Sequence, residues 1–400
     1  MNCSRKLTDS LYWVGANDRR IALFENVYPV PRGVSYNSYL LLDEKTALFD
    51  TIDQAFTHQL LENAASVLDG RSLDYLIVNH MEPDHCASIA DILFRYPEVK
   101  IVCTAKAANM MKQFFEFDVD QYVVPVKEGD TLSLGAHTLT FVMAPMVHWP
   151  EVMVTYETTE KILFSADAFG SFGAIDGNIF ADETDYKNQW LPEARRYYCN
   201  IVGKYGPQVQ ALLKKASGLE ISMICPLHSL VWRKDLGWLL EKYSRWSSYE
   251  PEEKTVLIAY ASVYGHTEQA ADAIAAKLAE RGVQNIAVYD VSKTHPSYIL
   301  ADAFRCSALV FASITYNNGI FCNMETLLHQ ISAHNLQNRT VAFLENGSWA
   351  PVSVKHMTDT FASLKNMKVL EDSLTIRSSL KNCQGDCLEA LVDSIFQSLA

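Results

Sequence analysis

Apolar runs that stop abruptly at polar, chemistry-bearing residues dominate the first 250 positions. Residues 73–78, Leu-Asp-Tyr-Leu-Ile-Val, have the length and apolar make-up of a buried strand. They lead directly into Asn79-His80-Met81-Glu82-Pro83-Asp84-His85. Three later segments repeat the pattern: 139–143 runs toward His148, 162–166 ends at Asp167, and 221–225 is followed, beyond Pro226, by His228. Residues 36–51 read as two short strands of an antiparallel hairpin turning at Glu44-Lys45. Residues 55–69 and 88–94 have helical spacing, and 99–103 reads as a strand. Residues 182–217 are expected to form two packing helices broken near Gly206-Pro207, with another helix over 235–248.

After the polar, proline-containing stretch 247–253 the pattern changes to regular alternation. Strands at 255–260, 285–290, 308–313 and 341–345, with a weaker one near Val369, are separated by helical segments. This predicts a doubly wound, five-stranded parallel sheet, in which ligands sit beyond the carboxyl ends of the strands. The chain of 400 residues is long enough for two cores, and the boundary is expected between a domain of residues 1–250 and one of residues 251–400.

Composition narrows the function classes. A formal net charge of -13 with no clustered Lys and Arg disfavours nucleic-acid binding. No segment has the run of roughly 18 apolar residues that a membrane span needs, and the N-terminus lacks the apolar core of a signal peptide. A cytoplasmic protein with no membrane partner is expected. Nine scattered cysteines argue against a disulfide framework; Cys383 and Cys387 read as an adventitious or redox-sensitive pair, not a metal knuckle.

The polar strand ends carry the candidate chemistry. Along an extended segment alternate residues point the same way, so His80, Glu82 and Asp84 are expected to converge while His85 turns in from the following loop. His148 and His228 would each add an imidazole and Asp167 could bridge two metals. Buried imidazoles and carboxylates at several strand ends would be uncompensated unless something cationic held them.

The second half offers three loops at expected strand ends. Ser262, Val263, Tyr264, Gly265, His266 and Thr267 precede a helix, where backbone N–H groups, hydroxyls and the helix dipole suit a phosphate. The spacing is neither Gly-x-Gly-x-x-Gly nor a P-loop, so a monophosphate fits better than a dinucleotide or ATP. His266 is expected to contribute backbone, not base catalysis. Thr315, Tyr316, Asn317, Asn318 and Gly319 form a second loop, and Asn346, Gly347, Ser348 and Trp349 a third.

Residues 1–250 resemble the metallo-β-lactamase fold, whose hydrolases carry His-x-His-x-Asp-His. This chain has Glu82 at the second His, and an oxygen donor in place of nitrogen shifts such a site from zinc toward iron. With the three loops, which resemble the flavodoxin arrangement for FMN, the whole is similar to the flavodiiron proteins. The resemblance implies an αββα metallo-β-lactamase-like domain followed by a flavodoxin-like domain. It also implies FMN and two irons per subunit, one iron on His80, Glu82 and His148, the other on Asp84, His85 and His228, with Asp167 bridging. The implied activity is reduction of O2 to water, NO to N2O, or both, in a head-to-tail homodimer or a dimer of dimers. Electrons would come from rubredoxin or another small separate donor, because no pair of Cys-x-x-Cys motifs follows the flavin loops. The third loop has one glycine, fewer than is usual in the family. The competing reading is a zinc hydrolase of the same fold with a fused flavodoxin domain, against which Glu82 speaks.

Overall fold

The computed structural model describes residues 2–400. The chain divides into two compact units, Met1–Tyr198 with Pro207–Tyr243 and Cys199–Gly206 with Ser244–Ala400.

The first unit is built on two sheets. The larger has seven strands in the order Arg5–Lys6, Leu11–Trp13, Tyr39–Leu41, Ala47–Phe49, Tyr75–Val78, Lys100–Thr104, Val123–Val126. Its first four strands pair antiparallel, including the hairpin expected over 36–51, and the rest pair parallel. Parallel strands are covered on both faces and so read as unbroken apolar runs, which is why Leu76, Ile77 and Val78 are all buried. The second sheet runs Thr131–Ser133, Thr138–Met143, Met153–Glu157, Ile162–Phe164, Met223–Cys225, antiparallel except for its last pair. Aromatic rings join the two sheets: Phe49 stacks on Phe164 with centroids 3.7 Å apart, and Tyr39 meets Phe164 edge-on at 5.7 Å. Helix Thr57–Leu68 buries Leu60, Ala64 and Leu68 at a spacing of four, one helical stripe.

The stretch 182–217 differs from expectation. Helices Tyr186–Gln189 and Leu191–Tyr197, the π-helical turn Tyr198–Val202 and the 3-10 turn Gly203–Tyr205 lead into a new helix, Gly206–Ala216, so the boundary at Gly206-Pro207 is a change of helix type with no loop between. Proline costs nothing in the first turn of a helix, where its N–H has no intrahelical partner. Gly206 serves a close approach instead: a Cβ there would lie 2.4 Å from the Ser247 carbonyl oxygen.

The second unit is a parallel sheet in the order Ala287–Asp290, Glu253–Tyr260, Cys306–Tyr316, Thr340–Asn346, Lys368–Ile376. A short strand Gly319–Ile320 folds back antiparallel on Cys306–Tyr316. The fifth strand, weak in sequence, is nine residues long. It is an edge strand with a register shift and exposed Glu371 and Asp372, so its apolar alternation is diluted. Ile258, Ile274, Val310, Leu344, Leu391 and Ile395 lie in its core.

Arg339, 1% exposed, ties this unit together through carbonyls alone. Its Nε donates to Ala303 O at 2.9 Å and Nη2 to Phe304 O at 2.6 Å, capping the end of helix Pro296–Arg305, while Nη1 donates to Tyr249 O at 2.6 Å and Gln337 O at 2.8 Å. Arg339→Met leaves these buried carbonyls without donors and is expected to destabilise this unit by about 3 kcal/mol, read as a lower urea midpoint of its unfolding.

Candidate metal and flavin sites

Asp50, at the end of strand Ala47–Phe49, sets the loop that follows Tyr75–Val78. Its Oδ1 accepts from the backbone N–H of Asn79 at 2.7 Å and of His80 at 3.1 Å, and its Oδ2 from the Asn79 side chain at 2.7 Å. Thr51 closes the other end of the loop, its Oγ1 donating to His85 O at 2.8 Å. Between these anchors the expected extended alternation fails. Glu82 is the N-cap of a helical turn, Pro83–Cys86, opened by Pro83. Asp84 therefore turns away from His80 and Glu82 and joins His85, because helical geometry replaces the period of two.

All seven expected ligands come together, in two groups: His80, Glu82, His148 and Asp167; and Asp84, His85 and His228. In the first, Glu82 Oε2 lies 3.3 Å from His80 Nε2 and 3.0 Å from His148 Nε2, and Asp167 Oδ2 lies 3.3 Å and 3.0 Å from the same two nitrogens. In the second, His85 Nε2 and His228 Nε2 are 3.1 Å apart, and Asp84 reaches them at 3.5 and 3.3 Å. Asp167 faces both, since its other oxygen, Oδ1, is 3.1 Å from His85 Nε2.

The remaining ring nitrogens aim the imidazoles. His228 Nδ1 donates to Ser35 O at 2.7 Å, and the loop bearing His228 is held by the Asn37 amide, which donates to Pro226 O and Ser229 O, each at 2.8 Å. His80 Nδ1 donates to Glu151 Oε1 at 2.8 Å. Such partners fix tautomer and orientation, leaving Nε2 for the metal. Phe24, Tyr36 and Tyr197 wall the His228 ring at centroid distances of 5.4, 5.9 and 5.5 Å. Tyr197 was expected only to pack; it packs on the site itself.

Electrostatics and unmet hydrogen bonds both suit cations. Burial opposes charge on these groups, yet facing carboxylates push His85 and His148 up to about 9 and His80 well above its ordinary value. The same imidazoles hold the carboxyls of Glu82 and Asp167 below the usual range against their burial. A field that favours positive imidazoles also favours metal ions among them. Both oxygens of Asp84 and Oδ1 of Asp167 are buried without a hydrogen-bond partner, a costly state that coordination removes. Two imidazoles, one carboxylate of its own and one oxygen of Asp167 at each position form a nitrogen and oxygen donor set that fits iron.

In the second unit a cavity of about 460 Å3 opens beyond the carboxyl ends of the central strands. The first loop contributes Ser262, Val263, Tyr264, His266 and Thr267, the second Thr315 and Tyr316, and the third Asn346, Gly347, Ser348 and Trp349. Ile314 and Ser378 also line it, Ser378 from a fourth loop that the sequence did not single out. Gly265, Asn317, Asn318 and Gly319 do not. Gly265, at φ +89°, caps helix His266–Glu280 and donates its N–H to Ser262 Oγ at 3.1 Å. Asn317 and Asn318, at φ 49° and 58°, are the turn of a two-residue hairpin that pairs Tyr316 with Gly319. Hydroxyls at the start of a fifteen-residue helix suit a phosphate, and exposed Tyr264, Tyr316 and Trp349 offer faces to a flat ring. The cavity fits FMN.

Comparison with known proteins accords with the two folds. Residues 34–229 match the ODP family beta lactamase model and residues 257–386 a flavodoxin domain model. The anaerobic nitric oxide reductase flavorubredoxin of Aeromonas hydrophila is 33% identical over 347 residues, covering 85% of this chain and 69% of that protein. The nitric oxide reductase of Moorella thermoacetica is 32% identical over 374 residues, covering 93% and 92%. Among solved structures, the flavodiiron protein from Giardia intestinalis superposes with a TM-score of 0.92 at 26% identity, covering 99% of this chain and 96% of that one. The chain belongs to the flavodiiron protein family. The rubredoxin oxygen:oxidoreductase of Desulfovibrio gigas superposes equally well, with a TM-score of 0.91, 28% identity and 99% and 98% coverage. As a flavodiiron protein, the chain is an oxidoreductase of FMN and a non-haem di-iron site, and the hydrolase reading is not favoured.

Asp50 gave no sequence signal beyond its place at a strand end. Asp50→Ala leaves the N–H groups of Asn79 and His80 buried and unpaired, so stability should fall by about 2 kcal/mol or more. Bound iron per chain should fall with it, measured by thermal denaturation and a colorimetric iron assay.

Proposed function

We propose that this flavodiiron protein reduces NO to N2O, O2 to water, or both, at two irons held by the seven residues above, with FMN in the cavity of the second unit. The metal-bearing domain would span residues 1–250 and the flavin domain residues 251–400. Asp167 carries this reading: its Oδ2 serves one donor group and its Oδ1 the other, as a carboxylate bridging a metal pair would.

His80, Glu82 and His148 would hold one iron and Asp84, His85 and His228 the other; a pair held this way would supply electrons and Lewis-acid polarisation to a small diatomic substrate. The protein's own part is positional. Ser35 and Glu151 fix two of the imidazoles, Asp50 and Thr51 fix the loop between the groups, and Phe24, Tyr36 and Tyr197 restrict water beside His228. Thr267, held through its Oγ1 by the Asn346 amide at 3.2 Å, and Ser262 would hold the flavin phosphate. Tyr264, Tyr316 and Trp349 would border the ring.

Relatives on both sides of the substrate question resemble this chain, one set named for nitric oxide and one structure for oxygen. The iron- and FMN-loaded protein should therefore be turned over anaerobically with NO, following N2O in the headspace, beside O2 consumption at an electrode. Turnover of neither overturns the reading, as does full activity in a preparation holding two zincs and negligible iron.

The donor is proposed to be rubredoxin or another small redox protein, which the names of the Aeromonas and Desulfovibrio proteins support. A head-to-tail homodimer, or a dimer of dimers, is proposed on the family resemblance. A monomer with full turnover in sedimentation velocity would refute that part. A cytoplasmic location is proposed; no helix among the described residues is long and apolar enough to cross a membrane.

A further inference from the structure

The two metal positions are matched in their inner donors, and the difference between them lies one residue further out. Each has two imidazoles, one carboxylate of its own and one oxygen of Asp167. Behind them the partners differ. His228 Nδ1 donates to a neutral carbonyl, Ser35 O. His85 Nδ1 is buried with no partner, and His148 meets carboxylates only through Nε2. His80 alone has a carboxylate behind it, Glu151 Oε1 at 2.8 Å from Nδ1.

That carboxylate is unusual in its setting. Glu151 is 2% exposed, its Oε1 also accepts from the Met81 N–H at 2.9 Å, and its Oε2 has no partner. No Lys or Arg pairs with it among the described residues, so its negative charge is neutralised only through the His80 ring. Trp149 stands edge-on to that ring, with centroids 5.4 Å apart, and thins the solvent around it. Asp50, the other buried carboxylate nearby, spends its oxygens on three amide N–H groups and reaches no imidazole nitrogen.

We infer that Glu151 is a positioning residue that makes the metal pair electronically unequal: through His80 it stabilises the higher oxidation state at the His80, Glu82 and His148 position. This rests on the di-iron reading above and deepens it. An imidazole whose N–H is shared with a carboxylate is a stronger donor than one bonded to a carbonyl, and negative charge nearby favours the more positive metal. One electron added to the oxidised pair therefore goes to the Asp84, His85 and His228 position, and the second to the His80 position at a lower potential.

The test is a stepwise anaerobic reduction of the iron- and FMN-loaded protein with dithionite, followed by EPR and Mössbauer spectroscopy. In the unaltered protein the two iron steps should be well separated and the half-reduced pair valence-localised. Glu151→Gln keeps an acceptor oxygen for His80 and Met81 but removes the charge. It should move only the lower-potential step to a more positive value, and the largest half-reduced fraction should fall toward the statistical half of two equal sites. Iron affinity in chelator competition should fall about 10- to 100-fold for Glu151→Ala and less for Glu151→Gln. Unchanged potentials in Glu151→Gln, or an equal shift of both steps, overturn the inference. A delocalised half-reduced pair in the unaltered protein also overturns it, even if the variant takes up no iron. These outcomes leave the di-iron reading intact if turnover persists; a chain active with zinc instead sinks that reading first.

Discussion

Three carboxylates and four imidazoles in one largely buried space can coexist only if positive charge sits among them, and much of the first unit is arranged around that constraint. Two oxygens of Asp84 and one of Asp167 have no donor in the protein, while the imidazoles are driven toward their charged forms against burial. Such a cluster opposes folding unless cations complete it. Cations held among these groups would therefore add to the stability of this unit.

The scaffold delivers the ligands by rigid means. Strand ends carry His80, Asp167 and His228 to one end of two facing sheets, and the Phe49–Phe164 stack fixes the distance between those sheets. Side chains from the hairpin and its approach, Ser35, Asn37, Asp50 and Thr51, bond to the backbone of the loops that bear the candidate ligands, not to those residues' Nε2 or carboxylate atoms. Precision at the centre is thus set by backbone anchors whose own positions are fixed by β-pairing. The flavin unit works differently: its loops are shaped by local devices, a positive-φ glycine at Gly265 and an Asn-Asn turn at Asn317-Asn318, and the residues that shape the cavity need not line it.

Much of this was legible in the linear chain because the signals are local. Buried parallel strands are unbroken apolar runs, strands alternating with helices imply a doubly wound sheet, and a His-x-Glu-x-Asp-His cluster after a strand has no purpose in a core. The exchange of His for Glu82 carried the choice of iron over zinc in donor chemistry alone. Where local reading failed, tertiary context had overridden it. At Gly206-Pro207 the expected boundary between two helical segments is present but is not a non-helical break: a 3-10 turn passes directly into helix Gly206–Ala216, and Gly206 lies against the Ser247 carbonyl. The edge strand Lys368–Ile376 looks weak because half its residues face water.

The sequence by itself determined which residues carry chemistry and, through periodicity, which elements present them. Only the tertiary structure decided how they are shared. The turn Pro83–Cys86 sends Asp84 to His85 and not to His80, Asp167 divides its two oxygens between the groups, and Glu151, three residues beyond His148 in the chain, stands behind His80. The physical reason is range: strand and helix periods act over a few residues, whereas a carboxylate aligned with a ring nitrogen 71 positions away depends on the packing of two sheets.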